Sequence, residues 1–82
     1  MHITVKTFAQ TREITGEDKV ALAISDGATV ASLINALRER SEKWKLALSG
    51  SVLTAVNQQL CDADTAVKDG DEVALFPPVT GG

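Results

Sequence analysis

The chain has 82 residues, 44% of them hydrophobic and 23% charged, with a formal net charge of −3 at pH 7. That is room for one small domain with a modest core. The acidic balance argues against nucleic acid or an anionic membrane as a partner, and no apolar run approaches the roughly 20 residues of a membrane span. No signal peptide opens the chain, and a cytoplasmic protein is the expectation.

His2 to Thr7 alternates, with Ile3, Val5 and Thr7 on one side and His2, Thr4 and Lys6 on the other, as in a half-buried strand. Phe8 has the parity of the polar side, so its ring should point away from the core. Ala9 to Ile14 can form one or two helical turns, stopped by Gly16. Lys19 to Ser25 alternates again, with Val20, Leu22 and Ile24 inward. Two strands this close in sequence most simply form an antiparallel hairpin with an elaborated loop.

Thr29 can N-cap the next element. Val30, Leu33, Ile34 and Leu37 follow at i, i+3, i+4 and i+7, which defines an amphipathic helix, and Asn35, Arg38 and Glu39 fall on its wet side. Glu42 to Leu48 reads as a further short helix, with Trp44 and Leu48 one turn apart and Gly50 closing it. Val52 to Asn57 reads as a third strand and Leu60-Cys61 as part of a fourth. Lys68-Asp69-Gly70-Asp71 is a turn, and Glu72 to Phe76 is the last strand, with Val73 and Leu75 inward and Ala74 and Phe76 outward. The order predicts an α+β roll, a mixed sheet of about five strands with one main helix on one face. Residues 1–76 would be the domain and 77–82 an extended tail.

If the first and last strands lie parallel and adjacent, Phe8 and Phe76 emerge together on the face opposite the helix. The chain has only three aromatic residues, two Phe and one Trp, so two of them outside at one spot suggest an anchor for a protein partner.

Enzyme constellations are missing from the sequence. One His and one Cys leave no Cys–His pair at plausible spacing and no metal cluster, and no phosphate-binding glycine loop occurs. His2 reads as a solvated strand residue and Cys61 as a small buried hydrophobe that cannot form an internal disulfide. Asp62, Asp64, Asp69, Asp71 and Glu72 are acidic enough to suggest calcium, but their spacing does not match an EF-hand loop, and solvated turns are the simpler reading.

What remains is the end, Pro77-Pro78-Val79-Thr80-Gly81-Gly82. The two prolines stop the sheet at Phe76. Four further residues would reach ~13 Å when extended. Gly81 and Gly82 lack Cβ atoms and could pass a slot too narrow for other residues. A frayed terminus would share this composition apart from the stiff Pro-Pro joint. Presented outward, the terminal carboxylate is ionised at pH 7 and a poor electrophile, so joining it to a nucleophile requires activation, most simply by ATP as an acyl-adenylate.

The run Asp69-Gly70-Asp71-Glu72-Val73-Ala74-Leu75-Phe76-Pro77-Pro78-Val79-Thr80-Gly81-Gly82 resembles the signature end of the small subunits of molybdopterin synthase, and Phe8-Ala9-Gln10-x-Arg12-Glu13 and Ala55-Val56-Asn57-Gln58 are similar to their other recurring stretches. The resemblance implies a ubiquitin-like β-grasp fold. It implies that Gly82 is adenylated by a ubiquitin-activating-type adenylyltransferase that consumes ATP. A sulfur-donating enzyme would then convert it to a thiocarboxylate. The tail would enter the large synthase subunit, in a complex of two small and two large subunits, and donate sulfur to the pterin precursor during molybdenum cofactor biosynthesis. The chain would be no enzyme on its own and would hold no cofactor or metal tightly. Partner-binding residues implied by the resemblance are Phe8, Arg12, Leu60 and Phe76, with Pro77, Pro78, Val79, Thr80 and Gly81 in the tail. Two alternatives share the fold and the Gly-Gly end: a sulfur carrier for thiamine synthesis and a ubiquitin-like protein modifier.

Overall fold

The computed structural model describes residues 1–50 and 52–76. The element order is β1 (His2–Thr7), α1 (Ala9–Thr15), β2 (Lys19–Ala23), α2 (Val30–Arg38), α3 (Glu42–Ala47), β3 (Leu53–Val56), β4 (Gln59–Cys61) and β5 (Glu72–Phe76). The strands form one five-stranded sheet in the order β2-β1-β5-β3-β4. β1 pairs antiparallel with β2 and parallel with β5, while β3 runs antiparallel to both β5 and β4. A mixed sheet with a parallel central pair and its main helix on one face is the β-grasp arrangement that the resemblance implies. Pro77, Pro78, Val79, Thr80, Gly81 and Gly82 lie outside the described residues.

Alternation decides which face is which. Ile3, Val5, Val20, Leu22, Val73 and Leu75 turn to one side of the sheet and are buried. On that side they meet Val30, Leu33 and Leu37 of α2, together with Trp44 and Leu48. Truncating one of the fully buried leucines to Ala would remove about 2–5 kcal/mol, a large share of a small domain's stability. Thr7, Thr11 and Thr15 are also buried, and the hydroxyls of Thr7 and Thr15 are served locally. Thr15 Oγ1 donates to the Thr11 carbonyl at 3.0 Å and Thr7 Oγ1 donates to the Glu17 carbonyl.

Helix ends follow the sequence signals. Gly16 closes α1 at φ 74°, with its N–H on the Arg12 carbonyl. The Thr29 side chain accepts from the Ser32 N–H at 3.3 Å and caps α2. The first N–H groups of α2 have a second source of partners, the segment between β4 and β5. The Val30 N–H donates to the Thr65 carbonyl at 2.9 Å and the Ala31 N–H to the Ala63 carbonyl at 3.0 Å. Backbone donors left free by helix geometry are thus satisfied by carbonyls of the segment between β4 and β5.

Three local readings are corrected. The third strand ends at Val56, and Asn57 belongs to the turn. Arg38 does not lie fully on the wet side, since its guanidinium Nε and Nη2 donate to the Leu48 carbonyl at 3.0 and 2.7 Å, binding the end of α3 to α2. Cys61 is half-buried rather than buried, because short β4 is an edge strand with only part of its surface against the core.

Candidate functional site: an apolar groove on the open face of the sheet

The parallel register of β1 and β5 pairs Thr7 with Leu75, so the next residues along, Phe8 and Phe76, come side by side. Their rings stack, with centroids 4.9 Å apart and planes within 12°. Such a pair contributes about 0.5–1.5 kcal/mol beyond its area burial. Phe8 is held there by its role at the start of α1, where its backbone is extended (φ −140°, ψ 157°) before the helix begins. Parity does the rest: both residues have the phase of the strand positions that face away from the core.

The neighbouring strands extend this surface. Leu53 on β3 lies opposite Phe76, and the next row out reads Lys6, Ala74, Ala55 and Leu60 across β1, β5, β3 and β4. Ala74 and Ala55 are small and make a floor; Phe8, Phe76 and Leu60 rise beside it. The result is an open groove of about 370 Å³, with Lys6, Gln58 and Glu72 on its polar margin. Of the four exposed large hydrophobic side chains among the described residues, three lie on this face: Phe8 at 39%, Leu53 at 42% and Leu60 at 77%. Apolar surface concentrated in one place signals an interface rather than ordinary scatter. Lys6 and Glu72 form an ion pair at 3.2 Å, each side chain 38% exposed, which settles their positions more than it stabilises the fold.

Two clamps hold the groove's shape. Asn57 Nδ2 donates to Asp71 Oδ1 at 3.0 Å, and Asn57 Oδ1 accepts from the Glu72 N–H at 3.0 Å, so the β3–β4 hairpin is tied to the start of β5. The 68–71 turn is tied to β1: the His2 N–H donates to Asp69 Oδ1 at 2.7 Å and the Gly70 N–H to the His2 carbonyl at 2.8 Å. Gly70 sits at φ 87°, a conformation costly for a residue with a Cβ. Asp62, Asp69 and Asp71 are therefore turn-formers. Asp71 Oδ2 also accepts from the Lys68 N–H and Asp62 Oδ1 from the Asp64 N–H. Among the described residues no group of three His, Cys, Asp or Glu is placed to hold a metal ion.

Of the residues expected at the site, Phe8, Leu60 and Phe76 come together in the groove. Arg12 does not line it; it is exposed on α1 and borders an adjacent depression with Phe8, Asp18 and Lys19. Sequence reasoning missed Leu53 and Gln58. Leu53 could have been found from parity, since it shares the phase of Ala55, but that needs the register with β5. The Cys61 thiol faces the Thr54 carbonyl at 3.7 Å and is half-buried, which is no nucleophile's setting. The face is built for recognition, and it lies at Phe76, immediately before Pro77 in the chain.

A family model described as the ThiS family matches residues 5–82. The chain belongs to the ThiS family. It is 49% identical to the molybdopterin synthase sulfur carrier subunit of Escherichia coli strain K12 and 48% identical to that of Haemophilus influenzae, in each case over 81 residues covering 98% of this chain and 99% of the relative. Among solved structures, SAMP1 from Haloferax volcanii superposes with a TM-score of 0.87 at 28% identity, covering all of both chains. A protein–protein complex of subunits 1 and 2 of the molybdopterin-converting factor from Helicobacter pylori matches with a TM-score of 0.72 at 30% identity, again over all of both chains. The fold is that of the ubiquitin-like β-grasp carriers in this ThiS family. No helix among the described residues is long and apolar enough to cross a membrane.

Proposed function

We propose that the chain is the sulfur carrier subunit of a molybdopterin synthase, working in complex with a larger subunit. The observation that carries this reading is the stacked Phe8–Phe76 pair and its groove at the root of the 77–82 segment. It is supported by the 48–49% identity to molybdopterin synthase sulfur carrier subunits over nearly the whole chain. The groove, Phe8, Leu60 and Phe76 above all, would receive side chains of the larger subunit, with Arg12 as a polar contact beside it. Pro77, Pro78, Val79, Thr80 and Gly81 would lead Gly82 into the partner's cavity.

The chemistry lies on Gly82. Its carboxylate attacks the α-phosphorus of ATP bound to an adenylyltransferase, releasing pyrophosphate and leaving an acyl-adenylate. A donor enzyme's persulfide sulfur displaces AMP to give an acyl disulfide, and a thiol then reduces its S–S bond, releasing the thiocarboxylate and a disulfide. In the larger subunit the thiocarboxylate sulfur would attack a carbon of the pterin precursor and displace an oxygen substituent from it. Water would then hydrolyse the acyl–sulfur bond, leaving the thiol on the pterin and restoring the Gly82 carboxylate. The domain contributes recognition and aim, and the partners supply catalysis. No cofactor need be held by the chain itself.

Intact-mass measurement on protein from its native cell tests this directly. The expected finding is a fraction heavier by one oxygen-for-sulfur exchange at Gly82, copurifying with a larger subunit that binds the pterin precursor. A variant with one residue appended after Gly82 should lose sulfur transfer, and full activity in that variant would overturn the carrier role. The likeness to SAMP1 supports a second reading, attachment to lysines of other proteins, which denaturing gels would reveal as a ladder of conjugates.

A further inference from the structure

The β3–β4 hairpin turns in two residues, because Val56 pairs with Gln59. Both turn residues have positive φ, Asn57 at 49° and Gln58 at 71°. A two-residue hairpin turn of this hand needs that conformation twice, and glycine is the favoured second residue. Asn tolerates it, and here both atoms of the Asn57 amide are occupied by Asp71 and Glu72. Gln58 gains nothing comparable from its backbone position. Its Cβ is crowded in the left-handed region, and its exposed side chain leaves the core no reason to retain it.

What that side chain does is border the groove with Leu60 and Phe76. The other polar residues of the margin, Lys6 and Glu72, face each other at 3.2 Å. A neutral amide both donates and accepts, so it discriminates by hydrogen-bond pattern without the desolvation cost of a charge. We propose that Gln58 is a specificity-determining residue for the larger synthase subunit: the two-residue turn sets Gln58 at the groove's edge, where its amide pairs with a polar group of the partner as an apolar side chain of that partner fills the groove. A non-cognate partner lacking that group would leave a polar atom unpaired at the interface, which weakens binding. The inference rests on the sulfur-carrier reading above.

The test is calorimetric titration of the full chain into the larger molybdopterin synthase subunit of the same organism, with thermal melts of each variant. Gln58→Gly should melt about 4 °C higher through relief of the turn and bind about tenfold more weakly. Gln58→Ala, which drops the amide and keeps the left-handed Cβ, should lose the same affinity with no gain in melting temperature. Parent-like affinity in both variants would overturn the proposal, as would a Gln58→Gly chain that melts no higher than the parent. If the parent itself gives no binding heat, the sulfur-carrier reading falls and this inference with it. Binding by the parent and equal binding by the variants strikes Gln58 alone.

Discussion

Trp44 donates its indole Nε1–H to the Glu17 carboxylate, 2.7 Å away, and so ties α3 to the loop that follows α1. Arg40 also reaches Glu17, at 3.6 Å, and its guanidinium lies 5.8 Å from the Trp44 ring centroid. The two interactions differ in weight. The Arg40–Glu17 pair is 35% and 41% exposed, so water screens it, while Trp44 is only 2% exposed and its N–H has little recourse to solvent. Trp44→Phe should therefore cost about 1 kcal/mol, lowering the melting temperature by about 4–8 °C. Arg40→Ala should cost less than half of that. Equal losses in a thermal melt would transfer the weight to the ion pair.

Arg38 closes α3 from the side. Two nitrogens of its planar fork share one carbonyl, that of Leu48. A lysine carries the same charge but not the fork. Arg38→Lys is expected to destabilise by about 1 kcal/mol and Arg38→Ala by about 1–3 kcal/mol. Denaturant titration checks both, and a neutral Arg38→Lys would mean that charge near the helix end is all that counts.

The groove separates stability from binding. Leu60 is 77% exposed, so Leu60→Arg should change unfolding free energy by no more than about 0.5 kcal/mol. The same substitution puts a charge on the apolar wall and should weaken binding to the larger subunit at least about tenfold. Phe8→Ala should cost about 2 kcal/mol of affinity, roughly thirtyfold. Surface plasmon resonance against the larger subunit reads both, and unaltered affinity would place the interface elsewhere.

Asn57 is expected to matter to the fold as much as to the site. Asn57→Gly keeps the turn conformation and removes both side-chain hydrogen bonds to Asp71 and Glu72. A loss of about 1–2 kcal/mol should follow. Amide exchange should quicken in β3 and β4 more than in β1 and β2. Uniform acceleration would show that the clamp is not local.

On the sulfur-carrier reading proposed above, Pro77 and Pro78 would limit the directions of the tail and so lower the ordering cost of its insertion. Replacing both by glycine should weaken the complex while leaving the melting temperature of the domain unchanged. A calorimetric titration with parent affinity would count against this.

Much of the architecture was legible because it depends on short-range periodicity. The phase of Ile3, Val5 and Thr7 placed Phe8 outside, the phase of Val73 and Leu75 placed Phe76 outside, and a parallel β1–β5 pair was enough to bring them together. Thr29 announced α2 by its own chemistry. What escaped depended on partners distant in sequence. Asn57 looks like strand until Asp71 and Glu72 are seen to take its amide, and Arg38 looks solvated until Leu48 presents its carbonyl. Leu53 joins this face only through register with Phe76, and Gln58 matters only because the turn beneath it is two residues long.

The strand that comes last along the described chain, β5, lies in the middle of the sheet, between β1 and β3. Its absence would split the sheet into two separate hairpins and take Val73 and Leu75 out of the core, so the fold is expected to close only once β5 has been made. Shortened translation products then fall to proteases as unfolded material. Completion of the fold is thus tied to the order in which its strands are synthesised.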